Sequence, residues 1–294
     1  MRTFRQSLQS SDFTITAELP LRQETGAEEL LQQAEKLGNS VTAIQIAENP
    51  HSWIQMSAVA AAGLLAHNGY DAIPRLNCRD RNRIALQSDL LGLRAMGITS
   101  LVLSKGNRMP DGNKLKATPV FDTSCRELVA MANAMNDDET TSPENEFLIG
   151  TSASVIQARP DWKGERLLER ASAGARFLQT RLCFDLDILR PFMAMLVEAR
   201  ITWNYSVIVS LAPLPSAESA RWLVENSRGC MIPETLIARL ESAADPEAEG
   251  VAICAELMRE IATIPGISGV NLLSPGNPDC VVQAIRESGL HVDV

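Results

Sequence analysis

The segment AIPRLNCRDRNRIALQSDLLGLRAMGITSLVLS, residues 72–104, contains one complete structural repeat. Residues 72–77 and 100–104 are short apolar runs of the kind that form buried parallel strands. Between them, residues 81–96 repeat their apolar side chains with the period of an amphipathic helix. A strand, a helix and a second strand in this order predict a βαβ unit with two parallel strands.

The same alternation continues along the chain. Further strands are predicted at residues 14–19, 42–47, 146–152, 176–183, 205–212 and 268–274. Helices are predicted at 28–37, 56–68, 127–135, 162–173, 186–200, 217–226 and 248–264, with an extra helix at 233–243 and a final one at 280–288.

Eight strands alternating with helices predict an α/β fold of the (β/α)8 barrel type, as a single domain over residues 1–294. Extra helices are expected before the eighth strand and at the C-terminus. The alternative is an open, doubly wound sheet. It would require a glycine-rich turn after the first strand, and the chain has ELPLRQETG there, at residues 18–26.

The composition excludes several functional classes. A net charge of −9 and an aromatic content of 4% argue against a nucleic-acid partner. The chain has no apolar run long enough for a membrane span and no apolar leader, so a cytoplasmic location is expected. Its six cysteines show no CxxC spacing and its three histidines are scattered, so no metal site is predicted.

Active sites of (β/α)8 barrels lie at the carboxyl ends of the strands. Glu18 ends the first predicted strand, and burial there would raise its pKa and make it a proton donor near neutral pH. A structural ion pair at the barrel mouth is the other interpretation of Glu18. Glu48 follows the second strand, as a polar contact residue or as a solvated loop carboxylate. No Tyr or Trp lies at a strand end to stack on a planar ligand ring.

The charged segment CRDRNR, residues 78–83, precedes the helix of the opening repeat. Asp80 is predicted to cap that helix. Arg79, Arg81 and Arg83 oppose the helix dipole, which favours anions at this end. Either these arginines pair with carboxylates of the barrel rim, or they serve an anionic ligand.

Several collinear segments resemble the methylenetetrahydrofolate reductases. One branch of that family contains TCRDRN followed by ALQSDLLG, and this chain has NCRDRN at 77–82 and ALQSDLLG at 85–92. The resemblance extends over most of the chain. It includes ITAELP (15–20), IAENPHSWIQMS (46–57), KATPVFD (116–122), ASAGARFLQTRLCFDLD (171–187), SLAPLPSAESARWL (210–223) and GVNLLSPGN (269–277).

The resemblance implies a barrel that passes hydride from NAD(P)H, through bound FAD, to the folate substrate 5,10-methylenetetrahydrofolate. It places Glu18 at the acid position of the family and implies a homo-oligomer. The implied substrate-binding residues are Glu48, Asn49, Asn107, Gln179 and Arg181. The implied cofactor-binding residues are Arg75, Asn77, Arg79, Asp80, Lys105, Gly106, Ser152 and Arg170.

Four of these positions depart from the family pattern. Asn107 replaces the aspartate of an LTGD motif, Arg181 replaces a glutamine, and Arg75 replaces a histidine or glutamine. Arg170 replaces a lysine that serves the flavin diphosphate. One explanation is a retuned flavin reductase. The alternatives are a flavin-free paralogue with direct hydride transfer, a non-redox folate-binding or methyl-transfer protein, and a catalytically idle interaction subunit.

Overall fold

The computed structural model describes residues 2–10, 12–109, 115–137, 142–159 and 161–291. Eight parallel strands form a closed barrel in the order of the sequence. The strands are β1 (Thr14–Leu19), β2 (Ala43–Ile46), β3 (Ala72–Asn77), β4 (Ser100–Ser104), β5 (Leu148–Ala153), β6 (Phe177–Leu182), β7 (Ser206–Leu211) and β8 (Ile267–Leu273). The pairing of β1 with β8 closes the barrel, so the (β/α)8 prediction is confirmed and the open-sheet alternative is wrong.

Helices surround the barrel in alternation with the strands. They are α1 (Phe4–Gln9), α2 (Ala27–Leu37), α3 (Ala58–His67), α4 (Arg83–Ala95), α5 (Cys125–Ala134), α6 (Glu165–Ser172), α7 (Leu186–Glu198), α8 (Ala217–Asn226), α9 (Glu234–Ser242), α10 (Pro246–Ala262) and α11 (Pro278–Ser288). The extra helix before β8 is present as predicted, whereas α11 is the eighth helix of the repeat. No described helix is long and apolar enough to span a membrane.

Local capping moved two helix starts away from the predicted positions. Helix α4 begins at Arg83 rather than at residue 81, because the side chain of Asn82 accepts the N–H of Ala85 and caps the helix. The prediction that Asp80 is the cap is therefore wrong. Helix α3 begins at Ala58, with Ser57 as its cap, rather than at residue 56.

The short helix α1, which the sequence pattern did not predict, lies at the amino-terminal end of the barrel. Its Phe4 packs edge-on against Phe177 of β6, with 5.0 Å between the ring centroids. The two rings belong to an apolar layer inside the barrel whose members are Phe4, Ala43, Ile73, Val102, Phe177 and Ile208. Burying each phenylalanine contributes about 2 kcal/mol, and the layer seals this end of the barrel.

Two residues further along each strand, the inward positions become polar. Gln45, Arg75, Gln179 and Ser210 follow Ala43, Ile73, Phe177 and Ile208 on their strands. Inward side chains alternate with outward ones, so these polar groups form the next layer toward the carboxyl ends of the strands. This polar layer is the floor of the cavity described below.

Candidate active site

A cavity of about 1350 Å³ opens at the carboxyl ends of the strands. This exceeds the roughly 300–1,000 Å³ usual for a pocket that binds one small molecule. The catalytic, substrate-binding and cofactor-binding residues implied by the resemblance all line it: Glu18, Glu48, Asn49, Arg75, Asn77, Arg79, Asp80, Lys105, Gly106, Asn107, Ser152, Arg170, Gln179 and Arg181. Arg81 and Arg83, which the sequence also singled out, do not line it. The structure thus brings the predicted residues together, and their roles toward a ligand stay predictions.

Glu18 projects from β1 into the polar layer, with its side chain 14% exposed. Burial raises the pKa of this carboxyl, and the nearby Arg75 offsets only part of that rise. The separation of 3.4 Å between Arg75 Nη2 and Glu18 Oε2 is long for a charge-assisted hydrogen bond. The Glu18 carboxyl therefore loses its proton at a higher pH than an ordinary glutamate does.

A hydrogen-bonded pair of glutamines holds Arg75 in place. Arg75 Nη2 donates to Gln45 Oε1 at 3.0 Å. The amides of Gln45 and Gln179 bond to each other across the barrel at 2.7 and 2.9 Å. Gln179 also donates to Ser210 Oγ at 3.1 Å. Both amides are almost fully buried, so this network fixes their orientation on the floor.

Arg181 reaches the cavity from a bulge in β6. Gln179 pairs with Ile208 and Leu182 pairs with Ser210, so one extra residue lies between these two pairs on β6. Such a bulge changes the direction of a side chain at a strand end. Arg181 Nη2 donates to Asn107 Oδ1 at 3.0 Å. Burial, followed by the charges of Arg75 and Arg228, lowers the pKa of Arg181.

The charged segment before α4 is held by internal contacts. Arg79 is 3% exposed. Its Nε and Nη2 bond to the Asp80 carboxylate at 2.6 and 2.9 Å. Its Nη1 donates to Ser52 Oγ at 2.9 Å, and its Nη2 donates to the Asn49 carbonyl at 3.0 Å. The guanidinium thereby ties the loop after β2 to the loop after β3.

Asp80 is ionised within this cluster. Burial by itself would raise its pKa, but hydrogen bonds from Arg79, Asn77 and Asn49 outweigh that effect and lower the pKa below its usual value. Asn77 also accepts the backbone N–H groups of Arg79 and Asp80 through its Oδ1 atom. The segment therefore adopts a side-chain-stabilised turn before the helix begins.

Arg81 pairs with two carboxylates. It forms an ion pair with Glu48 and a second one with Asp89 of α4, at 2.7 Å. Glu48 is 6% exposed, and its other oxygen accepts the Asn77 N–H at 2.7 Å. Glu48 is therefore a buried partner of Arg81, and the interpretation as a solvated loop carboxylate is wrong.

Three further predicted residues line the wall of the cavity next to the ends of β4 and β5. Arg170 of α6 donates to Thr151 Oγ1 at 3.2 Å and to the Ser152 carbonyl at 3.0 Å. Lys105 lies over the ring of Phe121, with 5.7 Å from Nζ to the centroid. Gly106 has a φ of +84°, and a side chain there would press against Arg79 and Asn77. The glycine thus allows the β4 loop to approach the turn after β3.

Sequence reasoning missed an aromatic group at the mouth of the cavity. His51, Trp53 and Trp222 pack together with ring centroids 4.9 to 5.8 Å apart, and we call them the mouth cluster. Trp53 is 57% exposed and Trp222 is 38% exposed. Neither tryptophan lies at a strand end, so a search limited to strand ends could not find them. Burial lowers the pKa of His51, which favours its neutral ring.

The cavity carries more positive than negative groups, although the chain has a net charge of −9. Its cationic lining residues are Arg22, Arg75, Arg79, Lys105, Arg170, Arg181 and Arg228, and its carboxylates are Glu18, Glu24, Glu48 and Asp80. Three of these carboxylates already lie in ion pairs with arginines: Glu48 and Asp80 at close range, and Glu18 at 3.4 Å from Arg75. Such a lining attracts anionic ligands. Among the described residues, no group of three His, Cys, Asp or Glu side chains could hold a metal ion.

Fold and site together define a (β/α)8 barrel protein with a large cavity, lined by many charged side chains, at the carboxyl ends of its strands. The family model of the methylenetetrahydrofolate reductases matches residues 3–275. The chain belongs to the methylenetetrahydrofolate reductase family.

The relatives are distant in sequence. The chain is 23% identical over 245 residues to a Caenorhabditis elegans protein named "Probable methylenetetrahydrofolate reductase (NADPH)". That match covers 81% of this chain and 35% of the relative, so the chain spans about a third of the relative's length.

Among solved structures, a Clostridium thermocellum protein superposes with a TM-score of 0.67 at 12% identity, covering 96% of this chain and 98% of its own. That protein is described as binding two copies of 5-methyl-5,6,7,8-tetrahydrofolic acid. The 7,8-dihydropteroate synthase of Vibrio fischeri superposes with a TM-score of 0.50 at 9% identity, covering 95% of this chain and 92% of its own. At these identities the likeness concerns the fold.

Proposed function

We propose that the protein reduces 5,10-methylenetetrahydrofolate to 5-methyltetrahydrofolate with NAD(P)H as the electron source. The observation that carries the proposal is Glu18, a carboxyl at the cavity floor whose pKa is raised by burial, within the family to which the chain belongs. The reaction requires a proton at N10 of the folate, so that the five-membered ring opens and hydride can reach the methylene carbon. Glu18 supplies that proton.

The cavity residues fit FAD as the intermediate hydride carrier. FAD carries a diphosphate, and Lys105 and Arg170 provide cations on one wall of the cavity. The volume of about 1350 Å³ has room for a flavin ring beside a folate. Bound FAD would supply the two-electron chemistry of the transfer. The exposed indoles of the mouth cluster offer flat surfaces for the planar part of a ligand.

The other implied residues take binding roles in this proposal. Asn107 contacts the folate from the loop after β4, Gln179 and Arg181 contact it from β6, and Asn49 contacts it from the loop after β2. Arg79 and Asp80 act mainly by holding the cavity wall, since their polar groups are engaged within the protein. A cytoplasmic homo-oligomer, with residues 1–294 as one domain, completes the proposal.

A spectrum and an assay test this function. The purified protein is incubated with FAD, desalted, and scanned for flavin absorbance, and NAD(P)H oxidation is then followed with 5,10-methylenetetrahydrofolate. We expect retained flavin and folate-dependent oxidation, and we expect Glu18→Gln to bind both ligands without turnover. Full activity in a folded Glu18→Gln protein would contradict the role of Glu18.

A second candidate is a non-redox folate-binding protein. The Clostridium thermocellum neighbour supports it, because that protein is described as binding two copies of a methylated folate. The cavity of this chain is also large enough for two ligands of moderate size. This candidate predicts saturable binding of 5-methyltetrahydrofolate, no retained flavin, and no NAD(P)H oxidation under any cofactor condition.

A further inference from the structure

Two arginines on the cavity floor lack a full complement of negative charge. Arg75 projects from β3 with its side chain 26% exposed. Arg181 projects from the bulge of β6 and is also half-buried. Arg228, in the segment between α8 and α9, lines the same cavity, and its charge contributes to the lowered pKa of Arg181. Three guanidinium groups therefore converge on one region of the cavity.

The protein compensates these charges poorly. The carboxyl nearest to Arg75 is Glu18, at 3.4 Å, and burial favours its neutral form. Arg181 bonds to an uncharged amide, Oδ1 of Asn107, at 3.0 Å. Within the described ranges, neither Arg181 nor Arg228 forms an ion pair with a carboxylate. The buried Nε of Arg75 has no hydrogen-bond partner in the described structure.

The neighbouring arginines show the usual solution to the same problem. Arg79 bonds to Asp80 through two nitrogens, and Arg81 pairs with both Glu48 and Asp89. Buried guanidinium groups stay charged at any physiological pH, so they are normally paired. The floor arginines are an exception within one small region, and an unpaired charge in a cavity is a recognition element for an opposite charge on a ligand.

We propose that Arg75 and Arg181 form an anion subsite on the cavity floor, which takes a carboxylate or phosphate group of the ligand. Guanidinium groups match both anions through paired N–H donors. Gln45 and Asn107 orient the two arginines in advance through bonds of 3.0 Å each. The subsite lies in the cavity of the proposed function, but it does not depend on hydride transfer. The proposal therefore requires that the bound molecule carries an anionic group that reaches Arg75 and Arg181.

Thermal unfolding in the presence of simple anions tests the subsite. The unfolding temperature of the full chain is measured against inorganic phosphate and, separately, against acetate, at constant ionic strength set with sodium chloride. The variants are Arg181→Gln, which removes a cation, and Asn107→Asp, which supplies an internal carboxylate next to Arg181. Arg166→Gln removes an exposed arginine on α6 and is the matched control.

We expect saturable stabilisation of the wild-type protein and of Arg166→Gln by at least one of the two anions. Loss of one charge-assisted bond corresponds to about tenfold weaker binding. The apparent affinity should therefore fall at least that much in both Arg181→Gln and Asn107→Asp. The anion that stabilises the protein identifies the chemical group of the ligand. Stabilisation by phosphate alone indicates a phosphorylated ligand, and stabilisation by acetate alone indicates a carboxylate.

Asn107→Asp protects the test from a folding failure, because it adds an ion pair without removing side-chain volume. The subsite is refuted if neither anion stabilises the wild-type protein beyond the chloride reference. Equal affinities in the wild-type protein and in Asn107→Asp would refute it as well. Flavin, nicotinamide and folate are absent from the experiment, so its failure leaves the reductase proposal standing, and the reverse also holds.

Discussion

At the scale of single residues, the environment of Glu18 decides what this carboxyl can do. The strand places it two positions beyond Thr16, inside the barrel and among other polar groups. Burial disfavours its ionised form more than Arg75 favours it, so the pKa rises. The sequence identified the residue and the direction of the shift. It did not show that Arg75 would be the opposing cation.

Replacing Glu18 with glutamine should remove the proton donor while keeping the shape of the side chain. We expect kcat for folate reduction to fall by about 10²–10⁴, with smaller changes in KM. In the wild-type protein, kcat for the proposed reaction should fall as the pH rises through the raised pKa of Glu18, since the acid must be protonated. Steady-state kinetics over a pH series measures both effects. Glu35→Gln, on an exposed position of α2, serves as the control.

The same carboxyl should leave a signature in stability. The folded state binds the Glu18 proton more tightly than the unfolded state, whose pKa is near 4.5. The free energy of unfolding of the wild-type protein should therefore decrease, relative to Glu18→Gln, as the pH rises from 4.5 to the folded pKa. Urea unfolding of both proteins at several pH values measures the difference. A difference that stays constant with pH would contradict the raised pKa.

At the scale of structural elements, the loop between β2 and α3 depends on the segment before α4. Asn49, His51 and Ser52 have positive φ values of 39°, 54° and 63°. Such conformations cost about 1–3 kcal/mol each for residues other than glycine. Arg79 bonds to the Asn49 carbonyl and to the Ser52 hydroxyl, and it thereby holds the loop that carries His51 and Trp53. The CRDRN segment therefore stabilises the cavity wall.

Replacing Arg79 with methionine should release this loop. The change leaves Asp80 with fewer hydrogen bonds and removes the two contacts to the loop, so we expect destabilisation of about 3 kcal/mol. Iodide or acrylamide should quench the tryptophan fluorescence more strongly, because Trp53 loses its packing on His51 and Trp222 and becomes more accessible. Chemical unfolding and quenching measure the two effects.

Arg83→Met is the matched control for that experiment. Arg83 lies four residues further along, with a side chain 48% exposed, and pairs with Asp122 and Glu127 at the surface. Exposed pairs contribute little, so the loss should stay below about 1 kcal/mol with unchanged quenching. Equal effects of the two substitutions would show that Arg79 does not hold the loop.

At the scale of the whole molecule, closure of the barrel requires close approach of its first and last strands. Gly269 of β8 pairs with Thr14 of β1, and a side-chain carbon at this glycine would lie 2.1 Å from the Thr14 carbonyl oxygen. The contact involves backbone atoms, which cannot move without disturbing the strand pairing. The absence of a side chain at this position therefore allows β1 and β8 to close the barrel.

Gly269→Ala should destabilise the protein by about 3 kcal/mol or more, because the added methyl group overpacks the closing strands. Gly92→Ala is the matched control. It lies within α4, where an added carbon would meet no atom within 4 Å. Alanine favours a helix over glycine by about 0.8 kcal/mol, so this variant should be as stable as the wild-type protein or more so. Urea unfolding of both variants provides the comparison.

The sequence by itself determined the barrel and the residues around its cavity. The hydrophobic periodicity that reveals a strand or a helix depends only on the residues within that element. The carboxyl ends of parallel strands all lie at the same end of the barrel. Glu18, Asn107 and Arg181 could therefore be assigned to one site without coordinates. Several aligned motifs also indicated the family, which the match over residues 3–275 confirmed.

Only the tertiary structure decided which groups meet inside that cavity. The Asp80 carboxylate bonds to Arg79, to Asn77 and, across loops, to Asn49, and Asn82 caps α4 instead. The packing of Trp53 on Trp222 joins the loop after β2 to helix α8, which is far away in the chain. The position of Arg181 depends on a bulge that strand periodicity cannot reveal. These contacts arise from the closed arrangement of eight strands, which brings distant residues within bonding distance and so selects among partners that the local sequence leaves equivalent.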